Sequence, residues 1–163
     1  MKPNTEGNDN TMTRVLIAAD ESSASLDAAR TAHSLFGDEA HYWIVHVGQV
    51  LSGSDMMWGA AYPVTMPIVA YPLVSPITAE DRVRAVDEAT SEAVELADQA
   101  DLPAQPVGAV GDPATAILQV AEAKRIDVIV VGSHERSWLD RLFHGSVAAD
   151  VVRKAAVPVL VVK

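Results

Sequence analysis

Five short apolar runs recur along the chain, and the stretches between them carry the periodicity of amphipathic helices. The runs are rich in β-branched residues and are too short for buried helices, so each predicts a strand. The predicted strands are 14–20, 40–47, 105–111, 127–131 and 158–163. Because strands alternate with helices and no hairpin turn joins them, the pattern predicts an α/β fold with a doubly wound, five-stranded parallel sheet.

Capping residues mark where the helices begin. Thr78 followed by Asp81 resembles a capping box, and Asp112 supplies an N-cap directly before a proline at the first helical position. The first predicted helix begins at a cap among Ser22, Ser23 and Ser25 and runs to Phe36, where Gly37 ends it. The other three predicted helices run from Thr78 to about Ala100, from Pro113 to Lys124 and from Val147 to Ala155. In the second of them, Val83, Val86, Ala93 and Ala97 share one face.

Composition narrows the class of protein. Residues 1–13 are polar and aperiodic, so we expect a disordered lead before a single domain at 14–163. The chain has no cysteine, which excludes disulfides and thiolate metal sites. The net charge of −10 argues against nonspecific binding of nucleic acid. No apolar run reaches the roughly 18 residues of a membrane helix and no signal peptide is evident, so we expect no membrane contact and a cytoplasmic protein.

The irregular segment at 48–77 is long for a loop in a compact domain. It contains four prolines, three methionines, Trp58, Tyr62 and Tyr71. Such apolar content is difficult to leave in water, so either a lid over a ligand or an oligomer contact would explain the segment. We favour contact with a second subunit.

The most informative motif spans residues 132–146. Gly132 follows a buried strand, and Gly145-Ser146 opens a helix. Glycine allows close approach of the backbone to a phosphate, and the N–H groups of a first helical turn bind anions. Glycine at these positions is also explained by tight packing of a helix on a strand without any ligand.

This segment resembles the signature of the universal stress protein family, Gly-x2-Gly-x9-Gly-Ser/Thr, whose loop holds ATP in members that bind it. Gly132, Gly145 and Ser146 match the signature, and Glu135 occupies the position of its second glycine. Arg136, Arg141 or a divalent cation would offset the charge of Glu135 against a phosphate. The resemblance covers the chain from Arg14 to Lys163.

The resemblance implies a flavodoxin-like or Rossmann-like sheet of order 3-2-1-4-5 and a binding site at the reversal of strand order. It implies that Asp20 contacts adenine, although a helix N-cap is the alternative for this residue. The site expected on these grounds consists of Ala18, Ala19, Asp20, Val47, Val131, Gly132, His134, Glu135, Gly145, Ser146, Val147 and Ala148. Its ligand would be ATP or another adenine nucleotide, with Mg²⁺ as an option. The family also implies a homodimer formed through the last strand, 158–163.

No constellation of catalytic residues is evident, and the lysine-containing phosphate loop of ATP-hydrolysing proteins is missing. His134 and His144 lack a third ligand, so we expect no metal centre. His33, His41 and His46 are interpreted as structural. The sequence therefore predicts a non-catalytic nucleotide-binding protein of the stress response. Two alternatives remain: a nucleotide-free dimeric scaffold of the same family and, less favoured, a nucleotidyl-transfer enzyme on a related fold.

Overall fold

A computed structural model describes residues 12–48, 77–133 and 147–163 of the chain. Within these residues strands and helices alternate. In chain order they are β1 (Arg14–Ala18), α1 (Ser23–Phe36), β2 (His41–Gly48), α2 (Ala79–Gln99), β3 (Ala104–Val110), α3 (Pro113–Ala123), β4 (Val128–Gly132), α4 (Val147–Lys154) and β5 (Val159–Val162).

The five strands form one parallel sheet with the order β3-β2-β1-β4-β5, which confirms the predicted topology. The central strand β1 is covered on both faces, as parallel sheets require. Val15 and Ile17 face one core, to which α1 and α2 contribute alanines and Leu96. Leu16 faces the other core, where α3 and α4 contribute Ile117 and Val151. All three β1 side chains are fully buried.

The predicted caps are confirmed. Ser22 is the N-cap of α1, and its hydroxyl accepts a hydrogen bond from the backbone N–H of Ser25. At α2, the Thr78 hydroxyl accepts from the Asp81 N–H, and the Asp81 carboxylate accepts from the Thr78 N–H, which completes the capping box. Gly37 ends α1 with a positive φ of 69°.

Two predictions need correction. The first strand ends at Ala18 and does not reach Asp20, because the Asp20 carboxylate turns back to accept from the Ser22 N–H. Val83 does not share the buried face of α2 and is 61% exposed. Gly48, the last residue of β2, lies against the Ala85 carbonyl, so the turn of α2 that carries Val83 extends past the end of the sheet. The other observed boundaries differ from the predicted ones by a residue or two.

Candidate functional site

A cavity of about 320 Å³ opens at the carboxyl ends of β1, β2 and β4. It lies where the strand order reverses, between β1 and β4, which is where ligands bind in open α/β sheets. Its size falls within the range of small-molecule sites. The lining residues are Ala18, Ala19, Asp20, Ser25, Val45, His46, Val47, Pro113, Ile117, Val131, Gly132, Val147 and Ala148.

The structure brings together eight of the residues that the sequence assigned to the site: Ala18, Ala19, Asp20, Val47, Val131, Gly132, Val147 and Ala148. They come from the ends of three strands and from the first turn of α4, although 130 positions separate the first from the last along the sequence. The remaining four, His134, Glu135, Gly145 and Ser146, lie outside the described residues, as do residues 49–76 of the oligomer contact predicted at 48–77.

Asp20 lies at the junction between β1 and α1. Its Oδ1 accepts hydrogen bonds from the Ser22 N–H at 3.1 Å, from the Ser22 hydroxyl and from the Ser25 hydroxyl at 2.6 Å. Its own N–H donates to the Ser25 hydroxyl at 3.0 Å. Because Ser22 is the N-cap of α1, Asp20 does not cap the helix itself. The carboxylate is instead held at the cavity wall by the residues that begin the helix.

Gly132 has a packing role that is independent of any ligand. A Cβ at this position would lie 2.5 Å from the carbonyl oxygen of Ala24, in the first turn of α1. Close packing of α1 on β4 therefore requires glycine here, as the alternative explanation of the motif proposed. Ser25 follows Ala24 in the same turn and hydrogen-bonds to Asp20. The contact therefore also brings the Asp20 end of β1 and the Gly132 end of β4 to one cavity.

Sequence analysis missed His46, which it interpreted as structural only. Its side chain is 14% exposed and lines the cavity, while Nδ1 lies 3.2 Å from the Ala19 carbonyl and Nε2 lies 2.7 Å from the Glu92 carboxylate. It also missed Ser25, Val45, Pro113 and Ile117. The sequence feature that could have indicated His46 as a site residue is its position near the carboxyl end of the second strand, next to the predicted site residue Val47.

The cavity combines a mainly aliphatic lining with two ionisable side chains. Among the described residues that line it, only Asp20 and His46 can carry a charge. Flat, apolar groups are therefore favoured along the alanine, valine and isoleucine side chains, and the described residues offer polar contacts at the β1 and β2 ends, at Ser25 and in the first turn of α4. Across the described part of the chain, no three His, Asp or Glu side chains lie close enough to bind a metal ion.

None of the helices in 12–48, 77–133 and 147–163 combines the length and apolar character that crossing a bilayer requires.

The family model described as the universal stress protein family matches residues 11–163 of the chain. Universal stress protein YxiE of Bacillus subtilis is 30% identical over 155 residues, covering 94% of this chain and 99% of that protein. Universal stress protein MJ0531 of Methanocaldococcus jannaschii is 28% identical over 162 residues, covering 95% of this chain and 84% of that protein.

Solved structures share the fold. A universal stress protein in complex with cAMP matches with a TM-score of 0.56 and 23% identity, covering 93% of this chain and 96% of that one. The universal stress protein from Archaeoglobus fulgidus in complex with dAMP matches with a TM-score of 0.52 and 21% identity, covering 93% and 98%. At these identities the likeness establishes the fold alone.

Proposed function

The chain belongs to the universal stress protein family, and on that premise we propose that its cavity binds an adenine nucleotide without turning it over. The observation that carries the proposal is the cavity itself, which opens at the reversal of strand order and is lined by Ala18, Asp20, Val47 and Gly132. Two members of the same fold are described in complex with cAMP and with dAMP, and both ligands contain adenine.

We infer that the base occupies the aliphatic part of the cavity. Val47 at the end of β2, Ile117 on α3 and Val131 on β4 offer apolar surface from three elements. The Asp20 carboxylate at the cavity wall is an acceptor for the exocyclic amine of adenine. In the same pose guanine would direct its C6 carbonyl oxygen at that carboxylate, and two acceptors facing each other repel.

The phosphate end of the ligand is proposed to lie toward Gly132 and α4. Val147 and Ala148 are the first residues of α4 and line the cavity. The N–H groups of a first helical turn have no partners within the helix and favour an anion. In the proposed complex these groups bind the phosphate together with Gly145 and Ser146, which match the family signature.

The arrangement supports binding rather than catalysis. The hydroxyl of Ser25 donates to Asp20 and accepts from the Asp20 N–H, so both of its hydrogen-bonding roles serve the β1–α1 junction. Within the described residues, the His46 ring hydrogen-bonds to Ala19 and Glu92 and to no serine or threonine hydroxyl. No described lysine or arginine lines the cavity to stabilise a transferring phosphoryl group.

The test is isothermal titration of the full chain with AMP, cAMP and ATP, the last with and without Mg²⁺, beside GMP as the base control. We expect the adenine nucleotides to bind with micromolar affinity and GMP to bind at least about tenfold more weakly, because a mismatched hydrogen-bonding group in a partly buried site costs over 1 kcal/mol. Equal affinity for AMP and GMP would contradict adenine recognition. No binding of any nucleotide would favour the dimeric scaffold.

A matched pair of variants on α4 identifies the cavity as the site. Ala148→Leu adds bulk to a cavity-lining position and is expected to abolish AMP binding, while Val152→Leu adds one methylene on the same helix at a position that is 40% exposed and away from the cavity. Far-ultraviolet circular dichroism of both variants checks that α4 remains folded. Unchanged AMP affinity in a folded Ala148→Leu protein would exclude this cavity.

Whether the ligand is ATP depends on Glu135, which occupies the position of the signature's second glycine. We propose that Glu135→Gly strengthens ATP binding more than AMP binding, because ATP carries more negative charge along its phosphate chain. Titration without Mg²⁺ measures the difference directly. A gain that is equal for both nucleotides would contradict a charge effect.

We also propose that the chain forms a homodimer through its last strand, 158–163. β5 is an edge strand that pairs only with β4 among the described strands. An unpaired strand edge offers a row of backbone N–H and C=O groups to a second copy, and antiparallel pairing of two such edges produces two-fold symmetry.

A further inference from the structure

The Ser25 hydroxyl joins the backbone of Asp20 to the carboxylate of the same residue. It accepts a hydrogen bond from the Asp20 N–H at 3.0 Å and donates to Asp20 Oδ1 at 2.6 Å. Both distances lie within the range of hydrogen bonds. Because one hydroxyl bridges two groups of a single residue, it restrains the side chain of Asp20 to one orientation relative to its own backbone.

Ser25 is itself held in place by packing. It is 6% exposed and is the only buried serine, threonine or charged residue in the part of the chain that the structure describes. Its neighbour Ala24 lies against Gly132, where an added Cβ would come within 2.5 Å of the Ala24 carbonyl oxygen. Ala28, three residues later in α1, is fully buried. The hydroxyl of Ser25 therefore has a fixed position relative to the sheet.

The carboxylate of Asp20 also has two contacts with Ser22. Oδ1 accepts hydrogen bonds from the Ser22 N–H at 3.1 Å and from the Ser22 hydroxyl. Ser22 is two residues from Asp20 and precedes the helix, so these contacts form a local turn that moves together with Asp20. Of the three hydrogen bonds to Oδ1, the one from Ser25 relates the carboxylate to the packed helix α1.

The orientation of the Asp20 carboxylate matters because the residue is exposed, and water competes for its oxygens. Asp20 and Ser25 both line the cavity. A hydrogen bond weakens steeply as its angle departs from linearity, so a carboxylate that turns into solvent no longer accepts well from a base in the cavity. Selectivity for one functional group of a ligand thus requires that the acceptor be held in a fixed direction.

We propose that Ser25 is a positioning residue of the nucleotide site, whose hydroxyl turns the Asp20 carboxylate toward the base and thereby determines the preference for purines with a 6-amino group. The inference rests on the proposed function. Removing the hydroxyl leaves Asp20 in the chain but releases its carboxylate from α1. The resulting loss of affinity is confined to ligands that carry the amine.

The experiment compares two ligands that differ only at the group that Asp20 is proposed to recognise. AMP carries the 6-amino group, and purine riboside 5′-monophosphate carries a hydrogen in its place. Isothermal titration of the full chain at neutral pH gives both dissociation constants, and their ratio measures recognition of the amine separately from binding of the rest of the nucleotide. For the wild type we expect AMP to bind about tenfold more tightly.

Ser25→Ala is expected to bring the two affinities to within about twofold of each other, through weaker binding of AMP alone. A general loss of packing would instead weaken both ligands equally and preserve their ratio. Ser23→Ala, the same substitution at an exposed position of the same turn, is the matched control and is expected to keep the wild-type ratio. Circular dichroism checks that both variants are folded.

A second comparison tests whether Ser25 acts through Asp20. In an Asp20→Ala background, we expect Ser25→Ala to change the affinity for AMP by less than about twofold, because the group that Ser25 positions has been removed. A direct contact between the Ser25 hydroxyl and the ligand would give its full loss of affinity in that background as well, and this result would overturn the positioning role.

The outcomes distinguish this inference from the proposed function. If no adenine nucleotide binds the wild type, the proposed function fails and this inference fails with it. If the wild type binds both ligands equally, nucleotide binding stands but the amine is not recognised, and the role of Ser25 is overturned. If the wild type prefers AMP and Ser25→Ala keeps that preference, only the positioning role is overturned.

Discussion

The carbonyl oxygen of Ala24 lies 2.5 Å from the position that a Cβ on Gly132 would occupy. The first turn of α1 thus rests directly on the end of β4. Ser25, the next residue of that turn, hydrogen-bonds to Asp20 at the end of β1. One close contact between helix and sheet therefore determines how the two strand ends at the reversal of order are arranged around the cavity.

Gly132→Ala is expected to destabilise the protein by about 1–3 kcal/mol, because backbone atoms of α1 have to move to admit a methyl group. Gly48→Ala is a graded control, since its Cβ would lie 3.3 Å from the Ala89 Cβ, a distance that a small shift of the neighbour relieves, and it should cost less. Urea unfolding at equilibrium measures both. Equal stabilities for the two variants would contradict the packing role of Gly132.

Asp20→Asn is expected to weaken AMP binding by roughly tenfold or more, because a charged acceptor for the base amine is replaced by a neutral amide. Ser22→Ala removes the N-cap of α1 and is expected to cost about 1 kcal/mol of stability while reducing affinity less than Asp20→Asn does. Isothermal titration and thermal unfolding of both variants separate the two effects. The reverse ranking of affinities would contradict a contact between Asp20 and the base.

Two helix caps make stability sensitive to acid. Hydrogen bonds from the N–H and then the hydroxyl of Thr78 lower the pKa of Asp81, and bonds from the hydroxyl and then the N–H of Thr115 lower the pKa of Asp112, both from an ordinary value of 3.8. A carboxyl with a lowered pKa in the folded state stabilises it when ionised. This contribution is complete at neutral pH and is lost as the pH falls below 3.8 and through the lowered pKa.

The double variant Asp81→Ala with Asp112→Ala is therefore expected to have a lower Tm than the wild type at pH 7. Between pH 5 and strongly acidic solution, its Tm should fall less than that of the wild type. Thermal scans monitored by circular dichroism across that range provide the measurement. Glu95→Ala with Asp98→Ala removes two exposed carboxylates of α2 that cap no helix and controls for the change in net charge. A double variant as acid-sensitive as the wild type would show that other groups dominate.

Val161→Pro tests the proposed dimer. The Pro158 carbonyl accepts a hydrogen bond from the Ile129 N–H of β4, and the Val162 carbonyl accepts one from the Ser133 N–H directly after β4. Because alternate residues of a strand direct their backbone groups to opposite sides, the Val161 N–H points away from β4. Proline there removes a donor from the free edge and leaves the pairing with β4 intact. We expect a monomer by analytical ultracentrifugation for Val161→Pro and a dimer for Val161→Thr, which keeps the N–H. Dimers of both variants would place the interface elsewhere.

Much of the fold could be predicted because its determinants are local. A run such as Val128–Val131 can only be buried on both faces, and a Thr78-to-Asp81 spacing forms its two hydrogen bonds within one turn. Periodicity, caps and alternating elements therefore fixed the strand count, the helix starts and the parallel sheet. The resemblance to the family signature, together with the rule that the carboxyl ends of parallel strands meet at one edge of a sheet, allowed Asp20, Val47, Gly132 and Ala148 to be assigned to one site.

What the sequence could not determine depends on distances between elements. Nothing in the sequence around Gly132 indicates that the Ala24 carbonyl occupies the space that a Cβ would need. Likewise, nothing in the sequence around His46 indicates that the Glu92 carboxylate lies 2.7 Å from its Nε2. Both relationships arise from how closely a helix packs on the sheet, which small residues in distant parts of the chain decide jointly. The sequence by itself determined the elements and the edge where the site lies. The tertiary structure decided which side chains meet there, because packing distances depend on all the contacting residues together.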